Sequence, residues 1–293
     1  MLLLVGPTGT IGRPLTQLLA AAGVPARGLV RDARKADGLA RRGITPVLGA
    51  VEDAAALRAA LDGVQRVFLL TPPGAQAMLD QQRTVVDAAR AAGVAHIVKL
   101  SSIGADEAPT GARIIDAHRA VERHIERSGM AWTFLRPHWF MDNELGQAPS
   151  IAQAGVLHAP DVGRITAVDA RDVAAAAAAV LTTAGHEGRA YTLTGPEPLG
   201  YADVAAALTR TLGRPVRWNE VTLEQARASM LEGGLPEVLA GGFTEILARY
   251  RRGGVTVRVS DAVEVLTGRP PRTFAQFLAD HRAAFSPPVP AAA

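Results

Sequence analysis

The sequence predicts an α/β protein, in which a doubly wound parallel sheet is followed by a smaller lobe of mixed structure. Two observations support this fold class. In the first half of the chain, short apolar runs rich in β-branched residues alternate with Ala-rich segments of helical length, which is typical of repeated βαβ units. After Pro137 this alternation gives way to loops, longer helical stretches and isolated short strands.

Six strands are expected in the first half, and each is apolar almost throughout, as suits strands that helices cover on both faces. They lie at 2–5, 28–31, 45–48, 66–70, 96–100 and 132–135. Helices are expected at 11–22, 54–61, 76–92 and 113–128, each followed within a residue or two by a glycine that can cap its last turn. The second half is expected to hold a helix after Asp172, helices at 201–212, 223–251 and 274–285, and strands near 190–194 and 216–218.

The composition excludes several classes of protein. The 293 residues include no cysteine, so disulfides, thiolate catalysis and cysteine metal sites are ruled out, and the histidines show no grouping that suggests a metal site. No apolar run reaches the roughly 18 to 20 residues that cross a bilayer, and residues 1–5 lack the basic start of a signal peptide. We therefore expect no membrane partner and a cytoplasmic location. The arginines are scattered and aromatics are only 4%, so nucleic acid is not an expected partner.

A glycine-rich loop directly follows the first expected strand and opens the first expected helix. In its pattern G-x-x-G-x-x-G, Gly6 permits a tight turn, Gly9 lets the backbone approach a pyrophosphate, and Gly12 allows close packing of helix on strand. The helix N-terminus presents unpaired N–H groups and a partial positive charge to phosphates. An ordinary glycine-rich turn is the alternative, but this context favours a Rossmann-type dinucleotide site formed by Gly6, Thr8, Gly9, Thr10, Ile11 and Gly12.

The end of the second expected strand indicates which dinucleotide binds. Sites for NAD usually place a carboxylate there, on the adenosine ribose hydroxyls. Here the strand ends in Arg31, and Lys35 follows four residues later, so two cations are available for a 2′-phosphate. We therefore expect NADP(H) as the preferred cofactor. The neighbouring Asp32 leaves room for NAD(H), and Arg31 and Lys35 as merely solvated residues at a helix start are the alternative reading.

These patterns divide the chain into three expected segments. Residues 1–137 are expected to form the NADP(H)-binding Rossmann domain, and residues 138–285 mainly a substrate-binding lobe, with some return to the Rossmann core near 165–183. Residues 286–293 are rich in Pro and Ala and are expected to be a disordered tail.

Several motifs resemble one known family over nearly the whole chain. They are the loop 6–12, the residues 29–32 with Lys35, the stretch 122–143, and the segments 167–173, 194–196 and 266–274. On these residues the chain resembles the NmrA-like group of atypical short-chain dehydrogenases, which also includes quinone and azo-dye reductases and is related to isoflavone reductases. The resemblance implies a Rossmann domain with a C-terminal substrate lobe and an active site in the cleft between them.

The resemblance also implies positions for further site residues. Cofactor contacts are implied at Leu70, Thr71, Pro72 and Pro137, and a catalytic role for Ser101 or Ser102, just after the fifth strand. His138, Trp139 and Phe140 would lie beside the nicotinamide, with Trp139, Phe140 and Asn143 contacting substrate. These placements agree with the general rule that open parallel sheets bind ligands at the carboxyl ends of their strands. For Trp139 and Phe140, core packing is the alternative.

The usual acid of short-chain dehydrogenases is missing. Such enzymes use a Tyr with a Lys four residues later, whereas neither lysine of this chain follows a tyrosine at that spacing. Hydride transfer to a carbonyl still needs a proton or a hydrogen-bond donor at the oxygen. The candidates are Ser101, Ser102, His118, His138, an ordered water, or an acidic hydroxyl of the substrate. His118 as a helix-face residue and His138 as a packing residue are the alternatives.

These observations favour a cytoplasmic, NADPH-dependent reductase of a ketone or quinone on a small aromatic molecule, including polyketide-derived ones. The composition, rich in Ala, Arg and Gly, is typical of actinobacteria in which such ketoreductases serve secondary metabolism and antibiotic biosynthesis. A redox sensor that binds NADP(H) without turnover and acts on a protein partner is the second hypothesis. An epimerase or lyase with tightly held nicotinamide is the third. The chain is expected to be a monomer or a homodimer, without a metal.

Overall fold

A computed structural model describes residues 1–107, 109–254 and 258–287. In these ranges the chain forms nine strands, which are β1 (Leu2–Val5), β2 (Ala26–Val30), β3 (Thr45–Leu48), β4 (Arg66–Leu69), β5 (His96–Leu100), β6 (Ala131–Pro137), β7 (Val156–Ala159), β8 (Arg189–Leu193) and β9 (Arg217–Glu220). The helices are α1 (Gly12–Ala21), α2 (Ala33–Ala40), α3 (Ala54–Leu61), α4 (Ala75–Ala91), α5 (Arg113–Glu126), α6 (Ala148–Ala154), α7 (Ala170–Thr182), α8 (Tyr201–Leu212), α9 (Leu223–Glu232), α10 (Glu237–Arg251), α11 (Ala262–Thr267) and α12 (Phe274–Asp280). Two 3₁₀ segments, Met141–Gln147 and Arg282–Phe285, complete the list.

Seven parallel strands form the central sheet, in the order β3-β2-β1-β4-β5-β6-β8. From β1 the next strands are added on one side of the sheet, and from β4 onward they are added on the other side. The boundary between β1 and β4 is therefore the topological switch point, where such folds bind ligands. The predicted doubly wound α/β fold is confirmed. In the register, Val5 lies beside Leu69 and Leu69 beside Lys99, so the carboxyl ends of β1, β4 and β5 form one edge.

Helices cover both faces of this sheet. One core cluster packs α1, α7 and α11 against one face, with Leu15, Val173 and Val263 as members. A second packs α3, α4 and α5 against the other, with Leu57, Val85 and Val121 as members. The inner strands β1, β4 and β5 are buried on both sides almost completely, which explains why their sequences are largely apolar without alternation, whereas the edge strands β3 and β8 are half-buried or exposed over most of their length.

A third cluster forms the smaller lobe, from α8, α10 and α12 with the two-stranded parallel pair of β7 and β9. Its helix α10 rests on the Rossmann domain. The buried Arg249 of α10 pairs with Glu107, and its guanidinium also donates to the backbone oxygen of Thr110 at 3.4 Å. The loop after β5 is therefore attached to the smaller lobe.

The structure differs from the sequence expectations in several elements. The strand expected near 190–194 is β8, which extends the main sheet beside β6 rather than belonging to the smaller lobe. The stretch 223–251 is two helices, because it is interrupted at Gly233, Gly234 and Pro236, and proline has no N–H to continue a helix. The last helix ends at Asp280 and continues as a 3₁₀ turn to Phe285.

The short elements α2, α6, α11 and β7 were not predicted. At four to eight residues each, they are too short to show a clear hydrophobic period. Of the tail expected to be disordered, residues 288–293 lie outside the described part of the chain. In the described ranges, no helix combines the length and the apolar character needed to span a membrane.

Candidate cofactor and active site

The loop between β1 and α1 is built so that two of its glycines are required by the fold. Gly6 has φ +80°, and a Cβ there would lie 2.5 Å from the backbone oxygen of Leu70. A Cβ on Gly12 would lie 2.1 Å from the backbone oxygen of Gly6. The predicted close packing at Gly12 is therefore present, although its partner is the loop backbone of Gly6 and Pro7 rather than the strand.

Gly9 differs from the other two glycines because its missing side chain leaves space. The nearest atom to a Cβ there is the oxygen of Gly6, at 3.9 Å. No side chain caps the start of α1. The Arg13 N–H donates to the Gly9 oxygen at 2.9 Å and Pro14 has no N–H, so the first turn offers an anion the Gly12 N–H together with the partial positive charge of the helix end. This space and this donor fit a pyrophosphate.

The other loop residues differ in what they can offer a cofactor. Ile11 is buried and packs into the core, so only its backbone is available. Thr10 is exposed and Thr8 half-buried, which leaves both hydroxyls at the surface of the loop.

The end of β2 carries a group of cations next to this loop. Arg31, Arg34 and Lys35 are all exposed, and within the described residues none of them forms an ion pair. Asp32 is the N-cap of α2 and accepts from the Arg34 N–H at 2.8 Å. Its carboxylate therefore serves the helix, while the cations face solvent where a 2′-phosphate would lie. Arg34 was missed in the sequence because its position in the first turn of α2 depends on that cap.

The segment after β4 forms the opposite wall of the loop. The backbone oxygen of Leu70 approaches Gly6 so closely that a Cβ on Gly6 would lie 2.5 Å from it. Thr71 is buried and its hydroxyl accepts from the Gln82 amide at 3.1 Å, whereas Pro72 is exposed. Pro137, the last residue of β6, is buried and its backbone oxygen accepts from the Ile103 N–H at 3.0 Å.

A fully buried carboxylate organises the ends of β5, β6 and α5. Glu122 is 0% exposed and receives both Nε and Nη2 of Arg136, at 3.0 and 2.8 Å. The Ser101 hydroxyl donates to the same carboxylate at 2.6 Å. The Ser101 hydrogen is thus used inside the protein, and the structure gives this residue a positioning contact. Ser102 is half-buried, and its hydroxyl donates to the Ile103 oxygen at 3.2 Å.

A lysine and a histidine meet behind this edge of the sheet. Lys99 Nζ lies 2.7 Å from His118 Nδ1 and donates to the Leu100 oxygen at 3.0 Å. Burial lowers the pKa of Lys99 to about 7, opposed by the charge of Glu122 and reinforced by Arg136. Burial and the charge of Lys99 lower the pKa of His118 well below its usual value. Sequence reasoning considered lysines only at a fixed spacing from tyrosine, and therefore missed Lys99.

His138 follows β6 directly and is held by its neighbours. Its Nδ1 accepts from the Trp139 N–H at 2.7 Å, and its ring stacks on Tyr250 with 5.1 Å between centroids. Burial lowers the pKa of His138 to about 4, so the imidazole is neutral near pH 7. With Nδ1 accepting, the neutral ring carries its hydrogen on Nε2.

A cavity of about 210 Å³ lies against His138. Its other lining residues come from 162–165 and from the end of α10, and they include Arg164, Tyr250 and Arg251. Sequence reasoning missed these residues, because they lie far from His138 along the chain and belong to no motif.

The aromatic residues after His138 pack into the molecule. Trp139 meets Phe243 and Tyr250 edge to face, both at 6.2 Å between centroids, and belongs to the core of the smaller lobe. Phe140 is half-buried against the core between the sheet and α7. Asn143 is exposed in the 3₁₀ segment. None of the three lines the cavity beside His138. Within the part of the chain that the structure describes, no group of three or more acidic or histidine residues could hold a metal.

The fold and the site together define a Rossmann-type dinucleotide-binding protein. Comparison with known proteins agrees: a family model described as NAD(P)H-binding matches residues 6–184. The NAD(P)H azoreductase of Xenophilus azovorans is 42% identical over 97% of this chain and 99% of its own. A (4-alkanoyl-5-oxo-2,5-dihydrofuran-3-yl)methyl phosphate reductase of Streptomyces griseus is also 42% identical, over 98% of this chain and 100% of its own.

A solved structure supports the same assignment. The quinone oxidoreductase QOR2 of Escherichia coli complexed with NADPH is 32% identical, covers 96% of this chain and 100% of its own, and superposes with a TM-score of 0.86. The chain belongs to the NAD(P)H-binding family and is an NAD(P)H-dependent oxidoreductase. The resemblance to the group that includes quinone and azo-dye reductases is confirmed, and the hypothesis of a sensor without turnover loses its support.

Proposed function

We propose that this protein is an NADPH-dependent reductase that delivers hydride to a quinone, an azo group or a conjugated carbonyl on a small aromatic molecule. The observation that carries the proposal is the cavity beside the neutral, anchored His138. Its position at the carboxyl end of β6 fits a substrate site next to a nicotinamide, because parallel sheets bind ligands at the carboxyl ends of their strands. The relatives described above reduce substrates of related kinds.

The cofactor would lie across the loop 6–12, with its pyrophosphate over Gly9 and its 2′-phosphate among Arg31, Arg34 and Lys35. Leu70, Thr71, Pro72 and Pro137 border the path between them and the cavity. When bound, NADPH supplies the hydride. The exposed cations, together with an Asp32 already used as a cap, support a preference for NADPH over NADH.

His138 would stabilise the reduced substrate. Its Nε2–H can donate to the substrate atom on which negative charge develops, while the Trp139 N–H fixes the ring. A neutral imidazole whose pKa lies about 4 is a hydrogen-bond donor near pH 7 and not a proton source. The net proton therefore comes from another group, from water, or from an acidic hydroxyl of the substrate.

The charge of the cavity suggests which substrates fit. Arg164 and Arg251 contribute to its lining. Arg164 is paired with Asp203 at 3.0 Å, whereas Arg251 forms no ion pair within the described residues, so Arg251 favours acidic groups on the substrate. Phosphate-bearing furanones and polyketide-derived phenols carry such groups. A role in secondary metabolism is supported by the Streptomyces relative. A cytoplasmic location and a monomer or homodimer complete the proposal. Trp139, Phe140 and Asn143 remain proposed substrate contacts, although none of them lines this cavity.

The test is turnover with a defined panel. Purified protein is mixed with NADPH and, separately, with quinones, azo dyes and aromatic ketones, and the absorbance of the reduced nicotinamide is followed. His138→Phe keeps the stacking on Tyr250 and removes the donor, so kcat should fall by about 10²-fold or more with little change in NADPH affinity. No NADPH oxidation across the panel would overturn the proposed function.

A further inference from the structure

The pair formed by Lys99 and His118 is a buried arrangement that the proposed role of His138 leaves unexplained. Lys99 is completely buried on β5, where strands of this kind normally carry apolar side chains. Burying an ammonium group costs free energy unless it is paired, and its nearest side-chain contact here is an imidazole nitrogen rather than a carboxylate. An isolated structural role would be served better by leucine or methionine at this position.

The contact fixes the state of the imidazole. Because the ammonium of Lys99 has hydrogens to donate and no lone pair, Nδ1 of His118 must accept, and the ring hydrogen lies on Nε2. Within the described residues, Nε2 of His118 has no hydrogen-bond partner, and this nitrogen is not fully buried. The residue is half-buried, so this edge of the ring is open. A donor N–H therefore faces outward, with an ammonium directly behind it.

The pair lies near the carboxyl end of β5, and folds of this kind bind ligands at the carboxyl ends of their strands. Lys99 is the penultimate residue of β5, and the chain then runs through Ser101 and Ser102 to Ile103, whose N–H bonds to the Pro137 oxygen next to His138. The other charged groups that act on Lys99 are Glu122 of α5 and Arg136 of β6. These two form a bidentate pair with each other, so neither competes for the Lys99 proton.

We propose that Lys99 and His118 form a two-residue proton relay that supplies the proton for substrate reduction, with Lys99 as the reservoir and His118 as the group that passes the proton on through its open Nε2–H. The proposal rests on the reductase function proposed above. Lys99 acts through His118 and is a positioning residue, which fixes the His118 tautomer as well as restoring its proton.

The substrate gains one hydride and one proton. With the hydride supplied by bound NADPH, the substrate oxygen or nitrogen that gains negative charge would take the Nε2 proton of His118, directly or through one water. As the Nε2–H bond breaks, Nδ1 takes a proton from Lys99 Nζ, which becomes a neutral amine and now accepts from Nδ1–H. Solvent protons later restore the original state by the reverse path. The imidazole stays neutral throughout, so its lowered pKa does not prevent transfer.

Two lysines make this relay directly observable, because the chain holds only Lys35 and Lys99. In the enzyme without cofactor, Nζ nuclear magnetic resonance should show a Lys99 signal that titrates near neutrality, well below the ordinary lysine pKa of about 10.4. Lys99→Met removes this signal and identifies it. A Lys99 signal that titrates at the ordinary lysine pKa would overturn the reservoir role, whatever the activity.

The kinetic arm uses the holoenzyme with NADPH and a quinone. Lys99→Met and His118→Phe should each lower kcat by about 10-fold or more at pH 6, with KM for NADPH little changed, and should remove the fall in wild-type kcat as pH rises through 7. His124→Gln, on the same helix and paired with Asp87 at the surface, is the matched control and should behave as wild type.

The outcomes are distinguishable from a failure of the proposed function. If the wild type oxidises NADPH with quinone and His118→Phe keeps both its kcat and its pH profile, the relay is wrong while the reductase stands. If the wild type shows no turnover, the reductase proposal fails, and with it the relay. Should Lys99→Met not fold, His118→Phe and the wild-type Lys99 titration decide the question.

Discussion

At the scale of single residues, two imidazoles are held as neutral rings with their hydrogen on Nε2, by different partners. A backbone N–H fixes His138, and an ammonium group fixes His118. This difference separates their proposed roles, because only the second partner has a proton to transfer. The Ser101 hydroxyl, bonded to Glu122, is left to position the strand ends.

The exposed cations after β2 should discriminate between the two cofactors. Arg31→Ala removes a donor to the 2′-phosphate, and a hydrogen bond to a charged group contributes about 1.5–3 kcal/mol, so NADPH should bind about 10-fold weaker or worse. NADH lacks this phosphate and should be little affected. Titration calorimetry with both cofactors measures the effect, and Arg42→Ala, just beyond α2, is the control. Equal weakening of NADPH and NADH would contradict the assignment.

Lys99 should leave a thermodynamic signature that does not depend on turnover. Its pKa is about 7 in the folded protein and about 10.4 in the unfolded chain, so the unfolded chain binds one more proton between these values. The free energy of unfolding should therefore rise with pH in this window, relative to Lys99→Met, by about 1.4 kcal/mol per pH unit. Below pH 7 both states are protonated and the difference should level off. Urea denaturation of the two proteins from pH 6 to 10 tests this, and parallel stability curves would contradict the burial of a titrating Lys99.

At the scale of elements, the turn from β1 to α1 separates what the fold requires from what the cofactor requires. Its glycines share one motif, yet a Cβ would clash at Gly6 and Gly12 and meet open space at Gly9. The sequence pattern alone does not show this difference, because it depends on where the backbone of Leu70 and of the loop itself passes.

The two kinds of glycine should therefore respond differently to the same substitution. Gly12→Ala should lower the free energy of unfolding by more than about 3 kcal/mol, because its Cβ would overlap the Gly6 oxygen. Gly9→Ala should keep the wild-type melting temperature, because its Cβ meets no protein atom closer than 3.9 Å. The added methyl group would fill the space expected for the pyrophosphate, so NADPH should bind at least about 10-fold weaker, a loss of about 1.4 kcal/mol. Thermal unfolding and calorimetry are measured on both. Normal NADPH affinity in Gly9→Ala would show that the pyrophosphate lies elsewhere.

The elements that sequence reasoning predicted well are those whose patterns are local. Apolar strands buried on both faces, glycines after helices and the loop 6–12 are all visible in the chain itself. What was missed depends on tertiary contacts: Lys99 meets His118 across nineteen positions, and Tyr250 reaches His138 from the smaller lobe. A buried lysine in an apolar strand is the one local signal that could have pointed to the pair.

At the scale of the whole molecule, the cavity beside His138 lies where the smaller lobe rests on the Rossmann domain. Arg249 connects them, because it is 8% exposed in α10 and bonds to Glu107 and Thr110 in the loop after β5. Arg251, two residues further along α10, and Gly253, just after the helix, line the cavity. The geometry of the substrate site therefore depends on the contact made by Arg249, whereas the geometry of the loop 6–12 does not depend on it.

Loosening that contact should affect substrate and not cofactor. Arg249→Met should raise KM for the quinone several-fold, at about 1 kcal/mol for each hydrogen bond lost, while NADPH affinity stays as in the wild type. Arg252→Met, exposed just past the end of α10, serves as the control. Steady-state kinetics with each substrate varied in turn gives both constants. An unchanged KM for quinone would mean that the cavity does not depend on the lobe contact.

NADPH bound over the loop 6–12 should reduce a substrate held beside His138. The decisive measurement is single-turnover mixing of the protein with one equivalent of NADPH, deuterated at the transferred position, and excess quinone. We expect stoichiometric loss of reduced nicotinamide absorbance, slowed by deuteration and slowed further in His138→Phe. Bound NADPH that keeps its absorbance in the presence of quinones, azo dyes and aromatic ketones would contradict it.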